Sequence, residues 1–215
     1  MVKISINAQS SIRLEGSKTV YFDPFQITEE THDADFIFIT HENFDHFSPD
    51  DIAKVANENT VMVSPLSMKE AAEKVKSVGD KISTDVELSR KIDLNGVMFR
   101  AVRSYNVGKP FHQKESNWVG YKVYLDGETF FVTGDTDANE ENLQVYCDVL
   151  LVPCGGKYTF DAAEAAAFAA KIKPRKAIPT HYGKVVGSPD DGDKFVSELR
   201  RLAPDIETEI LLKST

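Results

Sequence analysis

Three apolar runs, far apart in this chain, each end on a side chain able to ligate a metal. Phe36–Thr40 runs into His41, Phe130–Gly134 into Asp135, and Ala177–Thr180 into His181. Short apolar runs with polar ends read as strands covered on both faces. In layered α/β proteins, ligands bind in the crevice beyond the carboxyl ends of such strands. A fold that gathers the three strand ends therefore gathers these three side chains. A fourth run, Val149–Val152, ends in Pro153–Cys154–Gly155–Gly156, where two glycines allow close backbone approach.

The rest of the chain supplies the layers. Residues 2–25 alternate apolar and polar, with Glu15–Gly16–Ser17 between two of the runs, as in a β-meander. Residues 119–133 predict a hairpin around Asp126–Gly127. Ser48–Pro49–Asp50–Asp51 has the cap serine, first-turn proline and acids of a helix start, and Ser188–Pro189–Asp190–Asp191 repeats it. Asp161 with Glu164 forms a capping-box pattern before an alanine-rich helix that stops near Pro174. Residues 206–211 predict a last strand. At 215 residues the chain reads as one α/β domain over 1–215, large enough to fold without staples.

Composition narrows the setting. A net charge of −9 argues against a broad basic face for nucleic acid. No apolar stretch suits a signal peptide or a membrane span, so the cytoplasm is the expected location. Cys147 and Cys154 form no CxxC pair and are expected to be reduced core residues. Neither the G-x-S-x-G elbow of a serine hydrolase nor the phosphate-cradling G-x-x-x-x-G-K-[ST] occurs.

The densest chemistry is His41–Glu42–Asn43–Phe44–Asp45–His46, two imidazoles and a carboxylate within six residues at the mouth of a strand. Such a donor set suits zinc, and also manganese or iron. This hexapeptide, then Gly134–Asp135–Thr136, then the late His181, resemble in order the metallo-β-lactamase superfamily. Asp23–Pro24, the Val119–Gly120–Tyr121 hairpin and Ile178–Pro179–Thr180–His181–Tyr182–Gly183 are similar to its lactonase-like branch, which includes ascorbate-6-phosphate lactonase. The resemblance implies a four-layer αββα sandwich with metals at one edge of two sheets.

It also implies one complete ligand set, Asp45, His46, Asp135 and His181, holding a single divalent metal, most simply zinc. The other family position keeps His41, with Asn43 where a histidine is usual. Its mid-chain histidine position falls in Ser104–Tyr105–Asn106. His112, in a loop, is the nearest substitute, weighed against a plain surface histidine. His41, Asn43, Asn106 and His112 are therefore expected at a weak second metal or around water. His41 and Asp45 are the expected catalytic groups, and Asp137 is the expected acceptor for a ligand histidine. Thr40 and Thr180 are expected to satisfy backbone. Lys157, Tyr158, Gly155 and Gly156 are candidates for touching substrate.

The implied activity is hydrolysis by metal-bound hydroxide, since a divalent cation lowers the pKa of bound water to about 7. The implied substrate is a small ester, lactone or phosphorylated metabolite. The alternatives are a phosphodiesterase or ribonuclease, and a degenerate member that binds metal or ligand as a sensor or assembly component. Open sheet edges are compatible with a homo-oligomer.

Overall fold

The computed structural model describes residues 2–84 and 91–212. The alternating N-terminal segment forms an antiparallel meander of β1 (Lys3–Ile6), β2 (Ile12–Glu15) and β3 (Thr19–Phe22). Strands β4 (Phe36–Phe38), β5 (Val61–Pro65) and β6 (Asp80–Thr84) add in parallel, giving a six-stranded sheet in chain order. In the second sheet β7 (Ile92–Leu94), β8 (Val97–Arg103), β9 (Val119–Leu125) and β10 (Glu128–Val132) are antiparallel. Strands β11 (Val149–Pro153), β12 (Lys176–Thr180) and β13 (Glu207–Thr208) then run parallel to β10. The expected hairpin joins β9 to β10, with Leu125 opposite Glu128 and Gly127 at φ 87°.

The period of two in a strand sends successive side chains to opposite faces, and β4 uses both. Phe36 and Phe38 enter the core between the sheets, where the Phe38 ring lies 5.0 Å from Phe99 and 5.0 Å from Tyr121. Ile37 and Ile39 face outward and pack with Ile52 and Val55 of α1 (Pro49–Val55) and Ala72 of α2 (Lys69–Ala72). On the far side, α3 (Ala162–Ile172) and α4 (Asp191–Leu202) cover the second sheet through Phe168, Phe195 and Leu199. The layers are therefore αββα, as the sequence implied. Between the sheets, the Tyr121 hydroxyl donates to the Ile39 carbonyl at 2.8 Å, pinning β9 against the end of β4.

Two helix starts follow the sequence pattern and one does not. Ser48 caps α1 by accepting from the Asp51 amide, and Asp161 and Glu164 form a full capping box on α3. Helix α4 begins only at Asp191, because the Asp191 carboxylate takes the Ser188 amide at 2.6 Å and holds 188–190 as a turn. The strand expected over 206–211 is confined to Glu207–Thr208, paired with Lys176 and Ala177. Both cysteines are buried and unbridged, and burial pushes the Cys147 thiol up to about 12, so it is inert near neutral pH. Among the described residues no helix is long and apolar enough to cross a membrane.

Candidate metal centre

The carboxyl ends of β4, β10 and β12 meet at one edge of the two sheets. His41, Asp45 and His46 follow β4, Asp135 follows β10 through Gly134 at φ 65°, and His181 follows β12. Asp135 is the hub. Its Oδ1 lies 3.4 Å from His46 Nε2, and its Oδ2 lies 3.4 Å from His181 Nε2, 3.5 Å from His112 Nε2 and 3.9 Å from His41 Nε2. Asp45 Oδ2 stands 3.1 Å from His181 Nε2 and 3.7 Å from His46 Nε2. Two groups of donors result, Asp45–His46–His181 and His41–His112–Asp135, each with its ligand atoms within 4.8 Å of one another. All six residues are buried.

A layer of hydrogen bonds behind the centre sets the imidazole orientations. His46 Nδ1 donates to Asp23 Oδ2 at 2.8 Å. The Thr40 hydroxyl donates to the same oxygen at 2.6 Å, so Thr40 Oγ1 is left to accept from His41 Nδ1 at 2.9 Å. The Thr40 amide completes the clamp on Asp23 Oδ1 at 2.8 Å. His112 Nδ1 donates to the Tyr158 carbonyl at 3.0 Å. With Nδ1 engaged, the Nε2 lone pairs of His41, His46 and His112 face Asp135. His41 Nε2, His46 Nε2 and Asp135 Oδ1 are buried with no hydrogen-bond partner. An orphaned buried polar atom costs about 1–3 kcal/mol. A divalent cation among these lone pairs removes that cost, so the donor set fits a metal.

The electrostatics agree. Burial, then the neighbouring His46, hold the His41 imidazole well below its ordinary range, leaving it neutral and ligand-competent. Burial opposes charge on His46, but Asp135 and Asp23 outweigh it and raise its pKa well above the ordinary value. Burial likewise opposes charge on Asp135, yet His181 and His46 hold it well below the usual carboxylate range. These shifts show protonated imidazoles supplying positive charge to Asp135, and a divalent cation bound there would take the place of those protons. The backbone is strained here as well. Asp23 at φ 44°, His112 at φ 52° and His181 at φ 57° occupy the left-handed region, each at roughly 1–2 kcal/mol.

Several expectations change. His112, weighed between a substitute ligand and a surface histidine, is only 7% exposed, and it enters the centre because its loop folds back onto Tyr158. His41, expected either at a second metal or around water, and Asp45, expected both as a ligand and as a catalytic group, each contribute an atom to a donor group. Asn43 reaches the centre, its side-chain amide 3.3 Å from His112 Nε2. Asn106 keeps its Oδ1 buried with no hydrogen-bond partner. Its amide donates to the Tyr158 carbonyl at 2.6 Å and the Phe111 carbonyl at 2.9 Å, fastening the loop that carries His112.

Asp137 accepts from Lys109 at 2.5 Å, not from a ligand histidine. That role falls to Asp23, whose contact with His46 spans 23 positions and leaves no local signal. Thr40 does more than satisfy backbone, as its hydroxyl links Asp23 to His41. Of the substrate candidates only Tyr158 lines the cavity above the centre. A Cβ on Gly155 would come within 2.4 Å of the His181 carbonyl, so that glycine lets the turn pack against the ligand's backbone. Lys157 is exposed, its ammonium 4.7 Å from the Tyr158 ring centroid.

Comparison with known proteins places this geometry. The beta-lactamase superfamily domain matches residues 3–181. A UPF0173 metal-dependent hydrolase of Pyrococcus furiosus is 30% identical over 215 residues, covering 92% of this chain and 93% of its own length. One from Thermococcus kodakarensis is 28% identical, covering 99% and 97%. The crystal structure of a putative metal-dependent hydrolase from Parabacteroides distasonis superposes with a TM-score of 0.79 at 22% identity, covering 99% of this chain and 94% of that one.

Proposed function

The chain belongs to the beta-lactamase superfamily domain family and, within it, to the UPF0173 metal-dependent hydrolases, and from that premise we propose that it hydrolyses a small ester, lactone or phosphorylated metabolite with divalent metal held at the Asp135 hub. The observation that carries this reading is the convergence of four imidazoles and two carboxylates on one buried point, where His41 Nε2 and His46 Nε2 have no hydrogen-bond partner. Divalent cations bound there supply Lewis acidity, polarising the scissile oxygen and making water nucleophilic at neutral pH.

The chain's own residues do the positioning. Asp45, His46 and His181 form one donor group, His41 and His112 the other, and Asp135 lies within reach of both. Asp23 and Thr40 hold the His46 and His41 rings in the tautomer that presents Nε2, the role outer carboxylates play around metal-bound histidines. The donor chemistry accommodates zinc, manganese or iron.

The test is elemental analysis of protein purified without chelator and after reconstitution, joined to hydrolysis of lactone, ester and phosphodiester reporters. About two equivalents of metal per chain are expected, with hydrolysis abolished in Asp135→Ala. Failure to retain zinc, manganese or iron would overturn the metal centre. Full loading with silence on every reporter would leave a binding protein built on the same fold.

A further inference from the structure

Asp45, His112, Asp135 and His181 of the donor groups form the floor of a cavity of about 370 Å³, and its walls hold a signal the metal chemistry does not use. Apart from the metal-facing residues and Asn43, the lining is Phe44, Phe111, Trp118, Tyr158, Val185 and Val186. Among the described residues that line it there is no lysine or arginine. Of the lysines in the neighbouring loops, Lys109 pairs with Asp137 and Glu164 and Lys114 with Glu140, while Lys157 and Lys184, next to Tyr158 and Val185, are exposed and stand outside the lining. Three of the walls are also exposed beyond what folding explains, Phe44 at 66%, Val185 at 41% and Phe111 at 40%. Phe44 stands inside the ligand-bearing hexapeptide itself, its ring edge-on to Phe25 at 6.0 Å between centroids.

Apolar side chains clustered at the mouth of a polar floor are the arrangement of a site that buries an apolar group beside a reacting one. A phosphate or second carboxylate on the far end of a substrate would lose water against these rings and meet no cation within the lining. The net charge of −9 adds repulsion at a distance.

We infer that the substrate is a neutral carboxylic ester or lactone whose acyl group is apolar and lies against Phe44, Phe111, Trp118 and Val185. This rests on the hydrolase reading above and narrows it by removing the phosphorylated class. In the reaction, the oxygen of water bonds to the acyl carbon and the single bond from that carbon to the alkoxy oxygen breaks. One proton of water ends on the alcohol, and the other leaves the carboxylic acid for solvent.

The test separates pocket from chemistry. Zinc-loaded protein is titrated by calorimetry with butyrate, hexanoate, octanoate and the eight-carbon dicarboxylate suberate, none of which turns over. Trp118, the single tryptophan, gives a second readout by emission. Affinity is expected to rise up to about fourfold per added methylene and to fall at least tenfold from octanoate to suberate. The chain-length dependence is expected to shrink in Phe44→Ser, a change at an exposed side chain. A flat series, or suberate bound as well as octanoate, overturns the inference. In parallel, 4-nitrophenyl butyrate is compared with 4-nitrophenyl hemisuccinate. If both are inert while the binding series holds, the hydrolase reading fails and the pocket assignment stands. If both are cleaved equally while the series is flat, the reverse is true.

Discussion

The two donor groups stand side by side around one carboxylate, yet they are built differently. Asp45, His46 and His181 come from the ends of β4 and β12, and behind them the Asp23–Thr40 clamp ties His46 to buried backbone. His112 comes from the segment between β8 and β9, which holds no strand of its own. Its position depends on four bonds: the Asn106 backbone N–H to the His112 carbonyl at 2.8 Å, the Asn106 side chain to the Phe111 and Tyr158 carbonyls at 2.9 and 2.6 Å, and His112 Nδ1 to the Tyr158 carbonyl at 3.0 Å. Strand-end donors inherit their placement from whole sheets, and opening them means opening the core. A loop donor inherits it from a few contacts, which open at a small fraction of the global stability. The two positions should therefore differ in how firmly they hold a metal, although their ligand types are alike.

The largest effect belongs to the residue both groups share. Asp135→Ala is expected to take metal content from about two equivalents to near none and hydrolysis to background. Retention of one full equivalent would break the picture of a common hub. His112→Ala comes next. It should remove the more weakly held equivalent and leave the other, as read by elemental analysis after dialysis against a weak chelator. Loss of both metals in that variant would mean that the loop and strand positions form one cooperative site.

How much of this was legible in the sequence follows the same division. The strand-end donors were readable because apolar runs declare strands, and Phe36–Ile39 covers both faces of its strand as a continuous run should. The loop donor was readable only as a candidate, since residues 104–118 carry no period, and the Asn106 and Tyr158 bonds decide that His112 turns inward. Asp23 was visible as part of a resemblance but its role was hidden. Its left-handed backbone and its bond to a histidine 23 positions away arise only once β3 and β4 pair. Asp137 misled for the converse reason: nearness to a ligand in sequence does not set direction, and Lys109 drew its carboxylate away. Of the aromatic mouth only Tyr158 was a substrate candidate from the sequence, whereas Phe111 and Trp118 line the cavity beside it and Tyr105 is buried with its hydroxyl on Glu141.

A subtler change tests the clamp. Asp23→Asn keeps the shape but removes the carboxylate that accepts from His46 Nδ1 and Thr40 Oγ1. Loss of such an outer partner costs about 10–100-fold in metal affinity. The loss should fall mainly on the strand-end position, measured by competition with a chromophoric chelator. An equal loss at both positions would show that the Thr40 bridge to His41 transmits as much order as the direct bond to His46.

The smallest effect concerns the scaffold beneath the strand-end group. Asp51, in the first turn of α1 just after His46, accepts from the Gln26 and Ile27 amides at 3.0 Å each and from Lys54 at 3.0 Å. It thereby ties the segment after Asp23 to the helix after His46. Burial disfavours its charge, but Lys54, Ser48 and these amides outweigh burial and hold its pKa below the ordinary carboxylate value. A carboxylate with a depressed folded pKa contributes stability that is complete above its unfolded pKa of about 3.9 and fades as pH falls through the lower folded value. Asp51→Asn should therefore lower the melting temperature by about 2–4 °C near neutral pH, and the difference from wild type should close on acidification below the unfolded pKa. Metal removed beforehand keeps the ligands out of the comparison. If the gap persists unchanged into acid, the carboxylate charge is not what joins the two segments. If it closes and the metal affinities of the variant at neutral pH are unaltered, the sheets alone place the strand-end donors. The 26–27 tie then serves folding without tuning the centre.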